Sequence, residues 1–429
     1  MKKTIRVDAL ARVEGEGALR LDVEDGVVRH VELRIFEPPR YFEAFLVGRM
    51  FTEAPDITAR ICGICPVAYQ MSSVHALENA LGVTLSDEVK ALRRLLYCGE
   101  WIESHTLHVA MLHLPDFLGI HDAVELAKKE PALVKTALAL KRAGNEIVRV
   151  IGGREVHPIN VRVGGFYRSP SREQMAALAG VLESVQDAAQ TLLDAVAALE
   201  FPDFERDYTF VSLVDDKQYP FIDGRVVVSD GRSFDAVDFE THVIEHQVPH
   251  SMALQASLAP DARHYHVGPL ARFALNHTRL PDVAKAAAAR VGLTAPVKNP
   301  FRSIVVRAVE LIFAVDEALR LARAYVPPDD TPPVFDVRKS RGAAATEAPR
   351  GILFHRYALN DDGTIAEARI VPPTSQNQAT IEDDLRAFAT DRLALDDQTL
   401  TWQCEQAIRN YDPCISCATH FLKLERVGA

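Results

Sequence analysis

Cysteine is scarce in this chain: six residues in 429, too few for the disulfide framework of a secreted scaffold. No run of 18 apolar residues occurs, so no transmembrane helix is expected. Lys and Arg nowhere cluster into a nucleic-acid footprint, and the formal charge of −11 favours solubility and excludes little else. The start Met1-Lys2-Lys3-Thr4-Ile5 is positively charged but lacks the apolar core of a secretory signal. With so few cysteines this fits a reducing cytoplasm, and export on a partner's signal stays open as the alternative. Internal repeats and low-complexity segments are absent.

What is present is concentrated at the two ends. Four of the six cysteines form two Cys-x-x-Cys pairs, Cys62-Gly63-Ile64-Cys65 and Cys414-Ile415-Ser416-Cys417, about 350 residues apart. Thiolates at this spacing converge on one ion when the second sits at a turn or helix start. A shared four-thiolate metal site is the leading reading, ahead of a dithiol redox couple or two unrelated pairs. Structural zinc fits less well, because metals that supply folding energy are typical of small domains, and 48% apolar residues in a chain this long can bury a core unaided. Soft ligands leave zinc, iron, copper(I) and nickel open, and spacing does not choose among them.

The pattern predicts a predominantly helical α+β fold. Residues 4–36 alternate apolar and polar around Glu24-Asp25-Gly26, a β-hairpin on a small sheet. Residues 67–81 read as a helix after Pro66, and its N-terminus with the loop amides can lower the thiolate pKa values. Gly63 lets the loop turn tightly. Ser86-Asp87-Glu88 caps a long helix running to about Leu114, before Pro115. Helical periodicity follows at 131–150, 171–199, 281–292 and 299–325, with short strands at 205–250. Because both cysteine pairs must meet, a single domain over 1–429 is expected: long helices around a buried metal site, β-rich over 1–37, with minor β insertions.

The runs Arg60-Ile61-Cys62-Gly63-Ile64-Cys65 and Asp412-Pro413-Cys414-Ile415-Ser416-Cys417-Ala418-Thr419-His420 resemble the large subunit of nickel–iron hydrogenases. Ala11-Arg12-Val13-Glu14-Gly15 and Glu347-Ala348-Pro349-Arg350-Gly351 extend the resemblance along nearly the whole chain, in family order. The continuation Cys65-Pro66-Val67-Ala68-Tyr69-Gln70 looks most like the soluble bidirectional NAD(P)-linked branch.

The resemblance implies the rest. All four cysteines would bind nickel, and Cys65 and Cys417 would also bridge to an iron carrying two cyanides and one carbon monoxide. H2 would be cleaved heterolytically and reversibly, the proton passing by a terminal thiolate or Arg350, then out through Glu14, with Cys417 as the thiol facing Glu14. Arg350 would stand over the open position and bond one cyanide; Thr374, in Val371-Pro372-Pro373-Thr374, would bond the other. Asp412 caps the turn into the last pair or joins this canopy. Glu43, the Ile370 carbonyl and His420 would hold magnesium. In isolation each of these is an ordinary turn, surface or structural residue.

Where the family commonly has a histidine bonding the second cysteine's sulfur, this chain has Tyr69, which can donate a hydrogen bond but carries no positive charge. His75 should point elsewhere, and His105 and His108 read as core or hydrogen-bonding residues. Only Cys98 and Cys404 remain, so electrons require a partner small subunit with iron–sulfur clusters, and the branch adds flavin-containing diaphorase subunits and NAD(P). The tail Phe421–Ala429 is expected to be removed by a maturation protease after nickel insertion by dedicated factors. The competing readings are a hydrogenase-like quinone-reductase subunit without nickel and a zinc-stabilised scaffold.

Overall fold

The computed structural model describes residues 2–37, 40–329 and 334–419; His420 and the 421–429 tail lie outside them. The N-terminal hairpin forms where the sequence places its turn. Asp25 and Gly26 both adopt positive φ, 52° and 75°, the geometry that matches strand twist in a tight hairpin. It joins β2 (Gly17–Glu24) to β3 (Val27–Ile35), and β1 (Lys2–Val7) adds an outer antiparallel strand. Alternation along β2 turns Leu19, Leu21 and Val23 inward. They meet Ile381, Leu385 and Phe388 of a C-terminal helix and Leu400 and Ile408 of the next. The first strands are thus roofed by the last helices, which begins to bring the chain ends together.

The helical body is built from α1 (Pro66–Leu81), α2 (Asp87–Leu107), α3 (Pro131–Gly152), the short α4 (Pro269–Asn276) and α5 (Ser303–Arg323). The Ser86 hydroxyl caps α2 by accepting the Val89 amide at 3.3 Å. Pro115 does not end this helix. The run widens into a π-helical stretch at His108–His113 and continues through Leu114–Phe117, with Pro115 in that segment's opening turn. There the missing proline N–H costs least. The 171–199 region is two helices, Arg172–Glu183 and Gln186–Ala197, interrupted at Ser184 and Val185. α5 is buried along nearly its whole length and is the central helix of the core.

A second antiparallel sheet follows: β4 (Ser340–Ala348), β5 (Gly351–Leu359) and β6 (Ile365–Val371). Ala348 pairs with Gly351, so Pro349 and Arg350 alone form the tip between β4 and β5. Helices α6 (Pro373–Thr390) and α7 (Asp397–Arg409) then lead to the last cysteine pair. Minor sheets lie at 211–234, 243–258 and 161–166. Among the described residues about 49% are helical and 19% strand, the expected balance of a mainly helical fold with small sheets.

Candidate metal centre

The four cysteine sulfurs converge. All are buried, and their Sγ atoms lie within 4.8 Å of one another. Cys62 approaches Cys414 at 3.5 Å, and Cys65 approaches Cys417 at 3.8 Å. Each contact therefore joins one residue of the N-terminal pair to one of the C-terminal pair.

The first pair sits on the loop entering α1. The Ile64 and Cys65 amides donate to Cys62 Sγ at 3.3 and 3.2 Å, which favours a thiolate there. The α1 N-terminus does not share this task. Its Val67 and Ala68 amides donate instead to the buried Glu100 carboxylate of α2, at 2.6 and 3.1 Å. The turn does not depend on Gly63 either: its φ is not left-handed, and a Cβ there would meet nothing within 4 Å.

The second pair docks onto the N-terminal turn. Cys414 forms a parallel bridge with Glu14, and the Ile415 amide donates to the Glu14 carbonyl at 2.9 Å. The Glu14 carboxylate accepts from the Cys414 thiol at 3.1 Å and from the Ser416 amide at 3.0 Å, both on Oε2. The thiol facing Glu14 is therefore Cys414, not Cys417, because the bridge sets 14 and 414 side by side. Gly15 is required here. Its φ is +87°, and a Cβ would lie 2.7 Å from Glu37 Oε2 and 2.8 Å from Ile415 Cβ.

Over the sulfurs stands the β4–β5 tip. Arg350 Nε donates to the Asp412 carbonyl at 2.6 Å and Nη2 to Asp412 Oδ1 at 3.1 Å. Both side chains are buried. Asp412 holds φ 52°, turning the chain from α7 into the cysteine loop. Thr374, in the first turn of α6, accepts the Cys414 amide on Oγ1 at 3.0 Å, leaving its hydroxyl hydrogen free to donate elsewhere.

The electrostatics ask for a cation. Burial opposes charge on Cys62, yet the thiols of Cys414, Cys417 and Cys65, with Arg350, hold it well below the ordinary thiol range. Burial and the neighbouring sulfurs push Cys414 well up. Four sulfurs this close and this dry cannot all ionise without a metal to share them. Two further polar atoms, Arg350 Nη1 and Asp412 Oδ2, are buried with no hydrogen-bond partner among the described residues, as expected beside a site built for a bound group. The donor set thus fits a thiophilic metal centre.

The sequence profile of nickel-dependent hydrogenases matches residues 40–136 and 259–420. The chain is 31% identical over 428 residues to the sulfhydrogenase 1 subunit alpha of Pyrococcus furiosus, covering 98% of each. This chain belongs to the nickel-dependent hydrogenase family. It is also 27% identical over 470 residues to the NAD-reducing hydrogenase HoxS subunit beta of Cupriavidus necator, covering 98% of this chain and 96% of that one. A crystal structure of an NAD+-reducing [NiFe]-hydrogenase in the H2-reduced state superposes with TM-score 0.88 at 27% identity, over 97% of this chain and 99% of that one. The Ni-Fe-Se hydrogenase of D. vulgaris Hildenborough shares the fold at TM-score 0.77 and 24% identity, over 98% and 100% of the two chains.

Within this hydrogenase chain the remaining expected residues separate. Tyr69 is buried in α1, but its hydroxyl makes no hydrogen bond to Cys65 or to any other described residue. Its ring lies against His355, centroids 5.8 Å apart. Burial, then the charges of Cys417, Cys65 and Cys414, push its pKa well up, so it stays a neutral phenol. His75 points away, 4.0 Å from Asp223. His105 and His108 are buried and bonded, to Glu310 at 2.9 Å and to the Arg409 carbonyl at 2.8 Å. Glu43 Oε1 accepts the Ile370 amide at 2.7 Å, and burial, partly offset by Arg369, lifts its pKa to about 7. His420 lies outside the described residues.

Sequence reading missed Arg40. Its Nη2 donates to the Ile61 carbonyl at 2.6 Å and also to the Ser416 carbonyl, tying together the residues that precede Cys62 and Cys417. In the sequence it is a lone charge three residues before Glu43. It also missed Glu100, which reads as an ordinary helix carboxylate until the fold lays it against α1.

Proposed function

We propose that this hydrogenase chain is built for a nickel–iron centre: Cys62, Cys65, Cys414 and Cys417 would hold the nickel, and Cys65 and Cys417 would also hold an iron that carries carbon monoxide and cyanide. The observation that carries this reading is the convergence of four buried sulfurs from both ends of the chain within 4.8 Å, beneath a guanidinium with a free N–H. When bound, such a centre supplies the Lewis-acidic, redox-active position at which H2 is polarised and split.

The chain's residues do the rest. Arg350 is kept cationic by Asp412 and the sulfurs of Cys414, Cys65 and Cys62, against the effect of burial. Its Nη1 offers a fixed donor and positive charge in a dry site, where both are worth most. Asp412 holds that guanidinium in place from Oδ1 and its carbonyl. The Thr374 hydroxyl is available as a donor to a second anionic ligand. A proton on Cys414 passes to Glu14 Oε2 across 3.1 Å, within reach for direct transfer. Glu14 is half-buried and stands between the sulfurs and the surface.

Glu43, the Ile370 carbonyl and His420 are the proposed magnesium ligands; a divalent cation would keep the buried Glu43 ionised. Electrons leave through an iron–sulfur small subunit, since Cys98 and Cys404, the two remaining cysteines, stand outside the sulfur cluster. Among the described residues no helix is long and apolar enough to cross a membrane. With the likeness to NAD-reducing relatives this supports a cytoplasmic enzyme that passes electrons through flavin-containing diaphorase subunits to NAD or NADP. The shared site of the two chain ends supports one domain over 1–429, and the 421–429 tail is the proposed substrate of a maturation protease acting after nickel insertion.

The test is infrared spectroscopy and metal analysis of the chain co-produced with its small subunit and maturation machinery. Intrinsic cyanide and carbon monoxide bands with nickel and iron are expected. Processed, metal-loaded protein containing zinc alone and lacking those bands would overturn the reading in favour of a scaffold.

A further inference from the structure

The tip that carries Arg350 is gripped from behind by a second arginine. Arg272, in α4, is fully buried, and its hydrogen-bonding capacity is filled. Nε and Nη2 donate to the two oxygens of Glu310 at 2.8 Å each. Nη1 donates to Glu347 Oε2 at 3.0 Å and to the Ala348 carbonyl at 2.9 Å. Nη2 also donates to the Pro349 carbonyl at 2.9 Å. A guanidinium has five N–H groups in a rigid fork, and all five are committed.

Glu310 is equally saturated. Besides Arg272 it accepts from Tyr219 Oη at 2.8 Å and meets His105 Nε2 at 2.9 Å. The Arg272 guanidinium lies over the Trp101 ring, 4.2 Å from its centroid, and Trp101 Nε1 donates to the Glu347 carbonyl at 3.0 Å. One turn earlier, Gly268 holds φ +110°, and a Cβ there would stand 2.7 Å from the Arg350 carbonyl. The first turn of α4 therefore bears on residues 348, 349 and 350 in succession.

A buried ion pair alone is weak evidence for stability, since apolar residues of similar volume often serve as well. An apolar side chain could not grip two consecutive peptide carbonyls. We propose that Arg272 is a positioning residue for Arg350: by fixing the Ala348 and Pro349 carbonyls it sets how the Arg350 side chain leaves the tip and where its free Nη1 stands above the sulfurs. This rests on the reading of Arg350 as the donor over the metal centre.

The test compares wild type, Arg272→Lys, Arg350→Lys and the double variant as matured complexes with the small subunit. Lysine keeps the charge and loses the fork. Arg272→Lys is expected to retain nickel, iron and the KM for H2, while kcat falls on the order of 10²-fold, the scale of a misplacement near 1 Å. Because Arg272 acts through Arg350, the double variant should be no slower than Arg350→Lys alone. Hydrogen–deuterium exchange should accelerate in peptides spanning 345–352 and stay unchanged elsewhere. Losses that multiply in the double variant, or wild-type kcat and exchange in Arg272→Lys, would overturn the proposal. If the metal-loaded wild type does not turn over H2, the hydrogenase reading fails, and exchange at the tip alone decides whether Arg272 holds it. Should Arg272→Lys not fold, Glu347→Gln, which weakens the same grip, is read by the same criteria.

Discussion

Glu14 Oε2 accepts two hydrogen bonds from the second cysteine loop, the Cys414 thiol at 3.1 Å and the Ser416 amide at 3.0 Å. The amide holds the carboxylate in place whichever of the two side chains, Cys414 or Glu14, carries the shared proton. An oxygen held this way can take a proton from sulfur without first reorienting.

Glu14→Gln preserves the Ser416 bond and abolishes proton acceptance. Nickel and iron contents should match wild type while H2 oxidation falls about 10²–10⁴-fold, the usual worth of a positioned acid–base group. Turnover at the wild-type rate would remove Glu14 from the proton's route.

Arg350→Lys keeps a cation beside Asp412 but cannot donate from Nε, Nη1 and Nη2 together. A loss in kcat of about 10²–10³-fold, the scale for removing one preorganised donor, is expected in the metal-loaded enzyme. The cyanide infrared bands should shift in the same sample. Unshifted bands with full activity would place Arg350 outside the site's chemistry.

Arg40 joins the carbonyls of Ile61 and Ser416. Arg40→Ala cuts that tie without touching a sulfur. Nickel affinity is expected to drop about 10–100-fold, as for other residues that orient metal ligands. Nickel release to a chelator, followed over time, measures it; wild-type release would show that the tie is dispensable.

Away from the metal, Glu382 of α6 faces β3 and the 250–255 region. It accepts the Leu33 amide at 2.8 Å, meets His250 Nε2 at 2.7 Å and accepts Gln255 Nε2 at 3.1 Å. The Glu382 hydrogen bond raises the His250 pKa; burial and Arg34 oppose this, while Glu32 reinforces it. A histidine whose folded pKa exceeds its unfolded value of about 6.5 contributes stability that is complete below that value. The contribution is lost as pH rises through the folded pKa. The melting-temperature gap between wild type and His250→Gln should therefore be widest below about pH 6.5 and narrow above it. A gap independent of pH would mean that folding does not raise the His250 pKa.

The parts of this fold legible in the sequence carry their signal locally. Asp25-Gly26 specifies its turn, Ser86 caps its helix, and the cysteine pairs announce themselves by spacing. The β4–β6 sheet was missed because residues 342–348 of β4 are all buried, so no alternation marks it. α6 and α7 escaped for a different reason: polar residues such as Gln376, Asn377 and Gln378 are buried against partners from distant segments, which blurs any apolar stripe. Arg272 and Arg40 look like surface charges in sequence. Their acceptors lie up to 77 and 376 positions away, and no local pattern reports such a bond. The exchange of Cys417 for Cys414 opposite Glu14 has the same origin, since strand register decides it.

The pairing of sulfurs 352 positions apart also has a meaning in time. At the usual pace of synthesis, about 5–20 residues per second, Cys62 and Cys65 leave the ribosome roughly 20–70 s before their partners. Throughout that interval the nascent chain displays a bare dithiol, and any oxidant or thiophilic ion it meets finds half a cage. Each round of translation is thus a race that the first pair must survive unspent.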